Sequence, residues 1–105
     1  MSEAIKDIPV KKYPYERVVL AWDFTNDFES SEKIDLSNST ASAKDKNGND
    51  VTSSILELAS LNCFNNKLFI TCIDGSCDLS PYFVELKCQS TLGYRYQGMI
   101  KIHIL

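Results

Sequence analysis

Short segments of alternating apolar and polar residues, separated by turn residues, constrain this chain more than any other feature of its sequence. Val84, Leu86 and Cys88 alternate with Glu85 and Lys87. Because successive side chains of a strand point to opposite faces, this period of two predicts a strand with one buried and one solvated face. A doubly wound parallel sheet is excluded, since its strands would be continuously apolar and separated by helices.

The same period recurs towards both ends of the chain. In residues 18–24 the large side chains share one face, and they include Trp22, which we predict to be a buried core anchor. In residues 99–105 three isoleucines point inward, while Lys101 and His103 point outward. Six or seven such segments, at a spacing of about 8–12 residues, predict an all-β antiparallel sandwich.

Turn residues mark several boundaries between these segments. Asn47-Gly48 is typical of a hairpin with a type I′ turn, and Asn65-Asn66 predicts a second turn. Residues 51–61 are ambiguous. Ser54 and Glu57 could form the capping box of a short helix, but we prefer an extended segment because it lies between two turns.

Length and composition predict one domain preceded by an arm. A chain of 105 residues fits a single domain. Residues 1–14 carry charges, two prolines and no periodicity, so we predict an extended N-terminal arm followed by a domain over 15–105. No stretch approaches the roughly 18 apolar residues that a membrane span needs, so we expect no membrane partner.

The four cysteines are expected to be free thiols. The N-terminus lacks the apolar region of a signal peptide, which favours a reducing compartment. Cys72 and Cys88 occupy inward positions and are interpreted as core residues, while Cys77 lies in a polar turn and should be exposed. Their spacing also differs from the paired C-x2-C pattern of a structural zinc site.

We predict no catalytic, cofactor or metal site. The single histidine, His103, is expected on a solvent face without a nucleophile to serve. Two carboxylate pairs lie in or beside polar turns: Asp23 with Asp27, and Asp74 with Asp78. The oxygen-rich segment 45–50 lacks the distal glutamate of an EF-hand loop, so it is interpreted as a turn rather than a calcium site.

Charge and exposed side chains indicate the kind of partner. The net charge of −3 and the scattered lysines predict no nucleic-acid partner. Tyrosines suit protein interfaces because they combine contact area with a polar tip, although these tyrosines could also cap the ends of the core. The interface candidates are Tyr13, Tyr15, Tyr94, Tyr96, Lys101, His103 and Leu105. The terminal strand has little edge protection, so we also expect self-association through this edge strand or the N-terminal arm.

The order of the motifs is similar to that of a known family. The motifs are Tyr13-Pro14-Tyr15, Trp22-Asp23, Glu32-Lys33-Ile34, residues 47–52 (NGNDVT), residues 82–86 (YFVEL), residues 90–93 (STLG) and the alternating end at 99–105. Together they resemble small Ig-like proteins encoded in tailed-phage and prophage structural gene clusters.

The resemblance implies a fold and a function. The fold would be an Ig-like β-sandwich of about seven strands. The function would be non-enzymatic: a structural or assembly protein of a virion that binds other phage proteins, located in the bacterial host cytoplasm during assembly and then in the particle. The alternative is a soluble phage-encoded binding module or inhibitor of a host protein.

Overall fold

The computed structural model describes residues 10–105, and this part of the chain is mostly β. Seven strands form two sheets, and one short helix precedes the fourth strand. The elements are β1 (Val10–Lys12), β2 (Val18–Asp23), β3 (Thr40–Lys44), α1 (Thr52–Ile55), β4 (Leu56–Phe64), β5 (Lys67–Cys72), β6 (Tyr82–Gln89) and β7 (Arg95–Ile104). The prediction of a β-rich chain with about seven strands is confirmed. Residues 10–105 contain no helix with the length and apolarity that a bilayer crossing requires.

The strands divide into a four-stranded and a three-stranded sheet. Their orders are β1-β7-β6-β3 and β2-β5-β4. Neighbours are antiparallel except β1 and β7, which run parallel. Buried side chains from both sheets form one cluster, so the sheets share a single core between their inner faces.

Alternation along each strand decides which side chains enter this core. In β6 the side chains of Val84, Leu86 and Cys88 are buried, and the residues between them are not. In β7 the same holds for Ile100 and Ile102. The inward positions predicted from the period of two are therefore confirmed, because half-buried strands in a sandwich need one apolar face each.

Trp22 of β2 contacts the opposite sheet at Gly98. Its indole ring packs against the backbone of Gly98 in β7, and a Cβ atom at position 98 would lie only 2.2 Å from Trp22 Cδ2. Position 98 therefore requires glycine because of this approach. Trp22 is 5% exposed, which confirms the predicted core anchor.

The two asparagine-containing turns differ in backbone conformation. Asn65 and Asn66 have φ values of 50° and 65°, and they connect the paired ends of β4 and β5. Two positive φ values in a two-residue loop are typical of a type I′ turn. Within 45–50 only Gly48 has positive φ, and the Asp45 carboxylate accepts hydrogen bonds from two backbone N–H groups. The turn predicted there is confirmed, but its predicted type I′ is wrong.

The ambiguous segment contains one helical turn followed by a strand. The preferred extended interpretation of residues 54–61 holds from Leu56, where β4 begins. The proposed capping box is wrong, because Ser54 lies within α1 and Glu57 lies in β4. The Glu57 carboxylate instead forms an ion pair with the guanidinium of Arg17.

The terminal strand is interior to its sheet only near its end, so the predicted edge strand is wrong for residues 102–104. Residues 95–101 of β7 pair with β6 alone. β7 pairs with β6 on one side and with β1 on the other, through residues Ile102, His103 and Ile104. Residues 10–12 of the predicted arm are thus part of the sheet, while residues 1–9 of that arm lie outside the described residues. Alternation within a segment could not predict the pairing of β1 with β7, because this parallel pairing joins segments about ninety residues apart.

Substitution of Gly98 by alanine should destabilise the fold strongly. The added methyl group would overlap the Trp22 ring, and overpacking of this kind costs about 1–3 kcal/mol or more. Urea unfolding followed by far-UV circular dichroism measures the loss.

The Trp22→Leu variant is the control for this interpretation. It should cost several kcal/mol alone, as large-to-small core changes do. In the Gly98→Ala background it should cost clearly less, because removing the indole ring also relieves its overlap with the added methyl group. Equal costs in both backgrounds would contradict the packing of Trp22 on Gly98.

Candidate interaction surfaces

The predicted interface tyrosines do not form one surface. Tyr13 and Tyr15 are exposed in the connection between β1 and β2, and Tyr94 is exposed in the turn before β7. These two sites lie at opposite ends of β7, about 30 Å apart at the rise of a strand. Tyr96 is only partly exposed, because its ring packs against Phe24 and Phe28.

The remaining interface candidates lie on or just beyond β7. Lys101 and His103 point to the outer face of the four-stranded sheet, as alternation predicts, and His103 is the more exposed of the two. Leu105 is also exposed, but its backbone N–H donates to the carbonyl oxygen of Lys12. The end of the strand is therefore held against β1.

The titratable residues of the described part of the chain form no group that could bind a metal ion. Within residues 10–105 no three His, Cys, Asp or Glu side chains are grouped so that they could hold a metal ion. In the predicted turn, Asp45 is buried and its carboxylate accepts backbone hydrogen bonds. Asp23 likewise accepts from the N–H and hydroxyl of Thr25. The absence of enzymatic activity stays a prediction.

A buried carboxylate that sequence reasoning missed holds one end of the sandwich together. Glu32 is 2% exposed, and it accepts hydrogen bonds from the Tyr96 hydroxyl at 2.9 Å and from the Glu29 N–H at 3.0 Å. Burial raises the pKa of Glu32, but hydrogen bonds from Ser90, Glu29 and Tyr96 together lower it below its ordinary value. Burial and the bond to Glu32 raise the pKa of Tyr96 to about 12. The pair is therefore structural, linking the long β2–β3 connection to β7.

A buried lysine has the same role at the opposite end. Lys12 is 1% exposed, although Lys11 beside it is exposed. The Lys12 ammonium donates to the carbonyl oxygens of Pro14 and Asp74. Burying a charge is costly unless it is hydrogen-bonded, so these bonds fix the β1–β2 connection against the loop after β5.

The outer face of the three-stranded sheet carries exposed apolar side chains. In β2, Val19 and Ala21 point outward; in β5 and β4, Phe69 and Phe64 do so. Phe69 lies opposite Ala21, and its diagonal neighbours are Val19 and Phe64, so the four lie close together on this face. Thr71 and Lys67 also point outward there, opposite Val19 and Phe64. We call these four residues the apolar face. Val19 and Phe64 are 64% and 69% exposed, which is unusual for large apolar side chains in a strand.

The outer face of the four-stranded sheet has the opposite character. Five cations lie at outward positions there, and we call them the basic face: Lys11, Lys44, Lys87, Arg95 and Lys101. The lysines are scattered in the sequence but lie together on this face, because the sheet brings together residues that are distant in sequence.

The cysteines are unpaired and differ in exposure. Cys72 and Cys88 are buried and Cys77 is exposed, as predicted, while Cys63 is intermediate. Burial raises the pKa of the Cys72 thiol and raises that of Cys88 to about 11. Both buried thiols are therefore protonated and unreactive near neutral pH.

The chain was compared with protein-family models, curated proteins and solved structures. No family model, curated protein or solved structure matches it.

Substitution of Tyr96 by phenylalanine should shift acid unfolding to higher pH. A carboxylate whose folded pKa is lowered stabilises the fold above its unfolded pKa, and this contribution is lost as the pH falls through the folded value. Without the Tyr96 hydroxyl the pKa of Glu32 rises, so the loss begins at higher pH. At the alkaline limb, wild type should lose stability as the pH rises towards about 12, where Tyr96 ionises, and the variant should lack this loss.

Circular dichroism against pH measures both limbs. Tyr94→Phe is the matched control, because Tyr94 is an exposed tyrosine in the turn before β7, two residues from Tyr96. If Tyr94→Phe and Tyr96→Phe shift the acid midpoint equally, the Glu32 network does not stabilise this end.

Thiol titration with an aromatic disulfide at about pH 8 should separate the cysteines. Cys77 should react rapidly in the native protein and Cys72 and Cys88 should not, because the pKa values of the buried thiols are raised. Four thiols should react after denaturation without reductant. The Cys77→Ser variant should lack the fast phase, which assigns that phase to Cys77. Fewer than four reactive thiols in the denatured protein would contradict the unpaired state of the cysteines.

Proposed function

We propose that the protein is a non-enzymatic, Ig-like interaction module that acts in assembly of a tailed-phage particle. The strand order supports the Ig-like part of this proposal. In Ig-type sandwiches the second, fifth and fourth strands form one sheet, and the third, sixth and seventh form the other. The orders β2-β5-β4 and β7-β6-β3 agree with that arrangement.

A tyrosine at the start of β6 gives further support. The Tyr82 hydroxyl accepts a hydrogen bond from the backbone N–H of Ser76, six residues upstream, at 3.0 Å. Ig-type sandwiches often place a tyrosine near the start of the sixth strand, with its hydroxyl bonded to backbone in the preceding corner. The buried ring of Tyr82 also packs close to Gly75, so it fixes that corner to the core.

The apolar face is the single observation that carries the binding function. Neighbouring apolar side chains that face solvent on a small domain are typical of a protein-interaction site, since leaving them in water is unfavourable. Val19 and Phe64 are exposed and Ala21 and Phe69 are partly exposed. Phe64 and Phe69 supply the aromatic area that binding hot spots use. The partner is therefore a protein with an apolar surface of its own.

The phage setting of the proposal rests on the motifs that resemble the phage family. The partners would be other virion proteins, met in the host cytoplasm during assembly and retained in the particle. Self-association would use the apolar face, or the stretch 95–101 of β7, which pairs with β6 alone.

A soluble inhibitor of a host protein is the second candidate, since the apolar face would serve that role equally well. The two candidates differ in where the protein is found. A virion protein is present in purified particles at a fixed copy number, whereas an inhibitor is absent from them and bound to one host protein.

Quantitative mass spectrometry of particles from the phage or prophage that carries the gene tests the assembly function. The wild-type chain should be present at a constant ratio to the major capsid protein. Phe64→Ser and Val19→Ser should each reduce incorporation about tenfold or more, because each removes a large contact from the apolar face.

Leu92→Ser is the matched control, since Leu92 is exposed in the turn before β7 and lies outside the apolar face. It should be incorporated like wild type. If the wild-type chain is absent from particles and co-purifies with a host protein in an apolar-face-dependent manner, the inhibitor function replaces the assembly function.

A further inference from the structure

The sheet register concentrates positive charge on one face of an acidic protein. The basic face extends over all four strands of its sheet, and each of its four lysines has a buried neighbour in the chain. The chain as a whole has a net charge of −3. Among the described strand residues that point outward on this sheet, Glu85 is the one acid.

The charge of Glu85 is compensated within the face itself. Its carboxylate accepts a hydrogen bond from the Gln97 side-chain amide at 2.8 Å and lies 3.4 Å from the Lys87 ammonium. Lys44 lies opposite Asp50 in an isolated antiparallel bridge, and its charge helps to lower the pKa of the Asp50 carboxyl. Lys11, Arg95 and Lys101 have no acid at a directly opposite position in the register. The face therefore presents a net positive field to solvent.

An aromatic ring lies in the middle of these cations. Phe83 of β6 pairs with Lys44 of β3 on one side and with Lys101 of β7 on the other, and all three side chains point outward. The ring is partly exposed. Cations flanking an aromatic ring form the arrangement with which proteins hold a single nucleic-acid strand, the ring stacking on a base and the cations contacting phosphates.

Hydrogen-bonding side chains complete the surface at its other end. Thr40, Gln89 and Gln97 point outward around Lys87 and Arg95. Amide and hydroxyl groups contact phosphate, sugar and base edges in such complexes. This four-stranded sheet presents one aromatic ring, several cations and several amides. It thus offers each class of contact that a single-stranded nucleic acid needs.

We propose that the basic face binds single-stranded nucleic acid. A protein partner fits it less well, because lysine is depleted in protein interfaces and four of the five cations are lysines. The apolar face on the opposite sheet has the composition that a protein partner uses. The two faces therefore serve two partners, and the nucleic-acid function does not depend on the phage setting.

Fluorescence anisotropy with a labelled oligothymidylate of about twenty nucleotides tests this binding on the full chain. At about 50 mM salt the oligonucleotide should bind, and log K should fall against log salt with a slope of about −3, as about four neutralised phosphates predict.

Lys44→Gln with Lys101→Gln should weaken binding about tenfold or more and make that slope shallower by about one. Lys33→Gln with Lys67→Gln removes the same charge from exposed positions outside the basic face and should change affinity less than about twofold.

Phe83→Leu separates base stacking from charge. It should weaken binding of the oligonucleotide about fivefold or more, as loss of one stacked base does, and leave binding of poly-L-glutamate unchanged. Unchanged circular dichroism and Trp22 emission show that each variant is folded. Absence of oligonucleotide binding at low salt would overturn the proposal. If poly-L-glutamate binds as tightly as the oligonucleotide and Phe83→Leu weakens neither, the proposal is also overturned and the face is assigned to acidic proteins.

Discussion

The packing of Trp22 on Gly98 sets the geometry on which the rest of the structure depends. The largest side chain of β2 lies directly on the backbone of β7, which is possible only because position 98 has no side chain. β2 and β7 belong to different sheets, so this contact fixes how the sheets lie over one another. Interiors are close-packed, and the other inward side chains therefore have to fit the space that this contact leaves.

Properties that follow from local alternation could be predicted from sequence, and those that follow from strand order could not. The inward positions of Cys72, Cys88 and Trp22 follow from a period of two within single strands. The position of β7 between two neighbours depends on parallel pairing with Val10–Lys12, which leaves no local pattern. The same limit explains why lysines that are scattered in sequence form one face: only the register places Lys44 and Lys101 on either side of Phe83.

The candidate surfaces show a similar division. Exposure of Tyr13, Tyr15 and Tyr94 was predictable from their turns, but their separation to opposite ends was not. The burial of Glu32 and Lys12 could not be predicted, because both residues occur in polar segments that are typical of solvent-exposed chain. Each satisfies its charge by hydrogen bonds to groups far away in sequence, and such bonds become visible only in three dimensions.

The parallel pairing of β1 with β7 has a consequence for the order in which the fold can form. During synthesis β1 and β6 are made before β7, and the four-stranded sheet lacks its inner strand until residues 95–104 emerge. The three-stranded sheet needs nothing beyond Cys72 and can pair earlier. Contacts that span about ninety residues carry a large loop-closure entropy, and folding rates fall as such contacts increase. The chain is thus built to fold in a late, cooperative step, with the inner faces of the early strands exposed to water until β7 arrives.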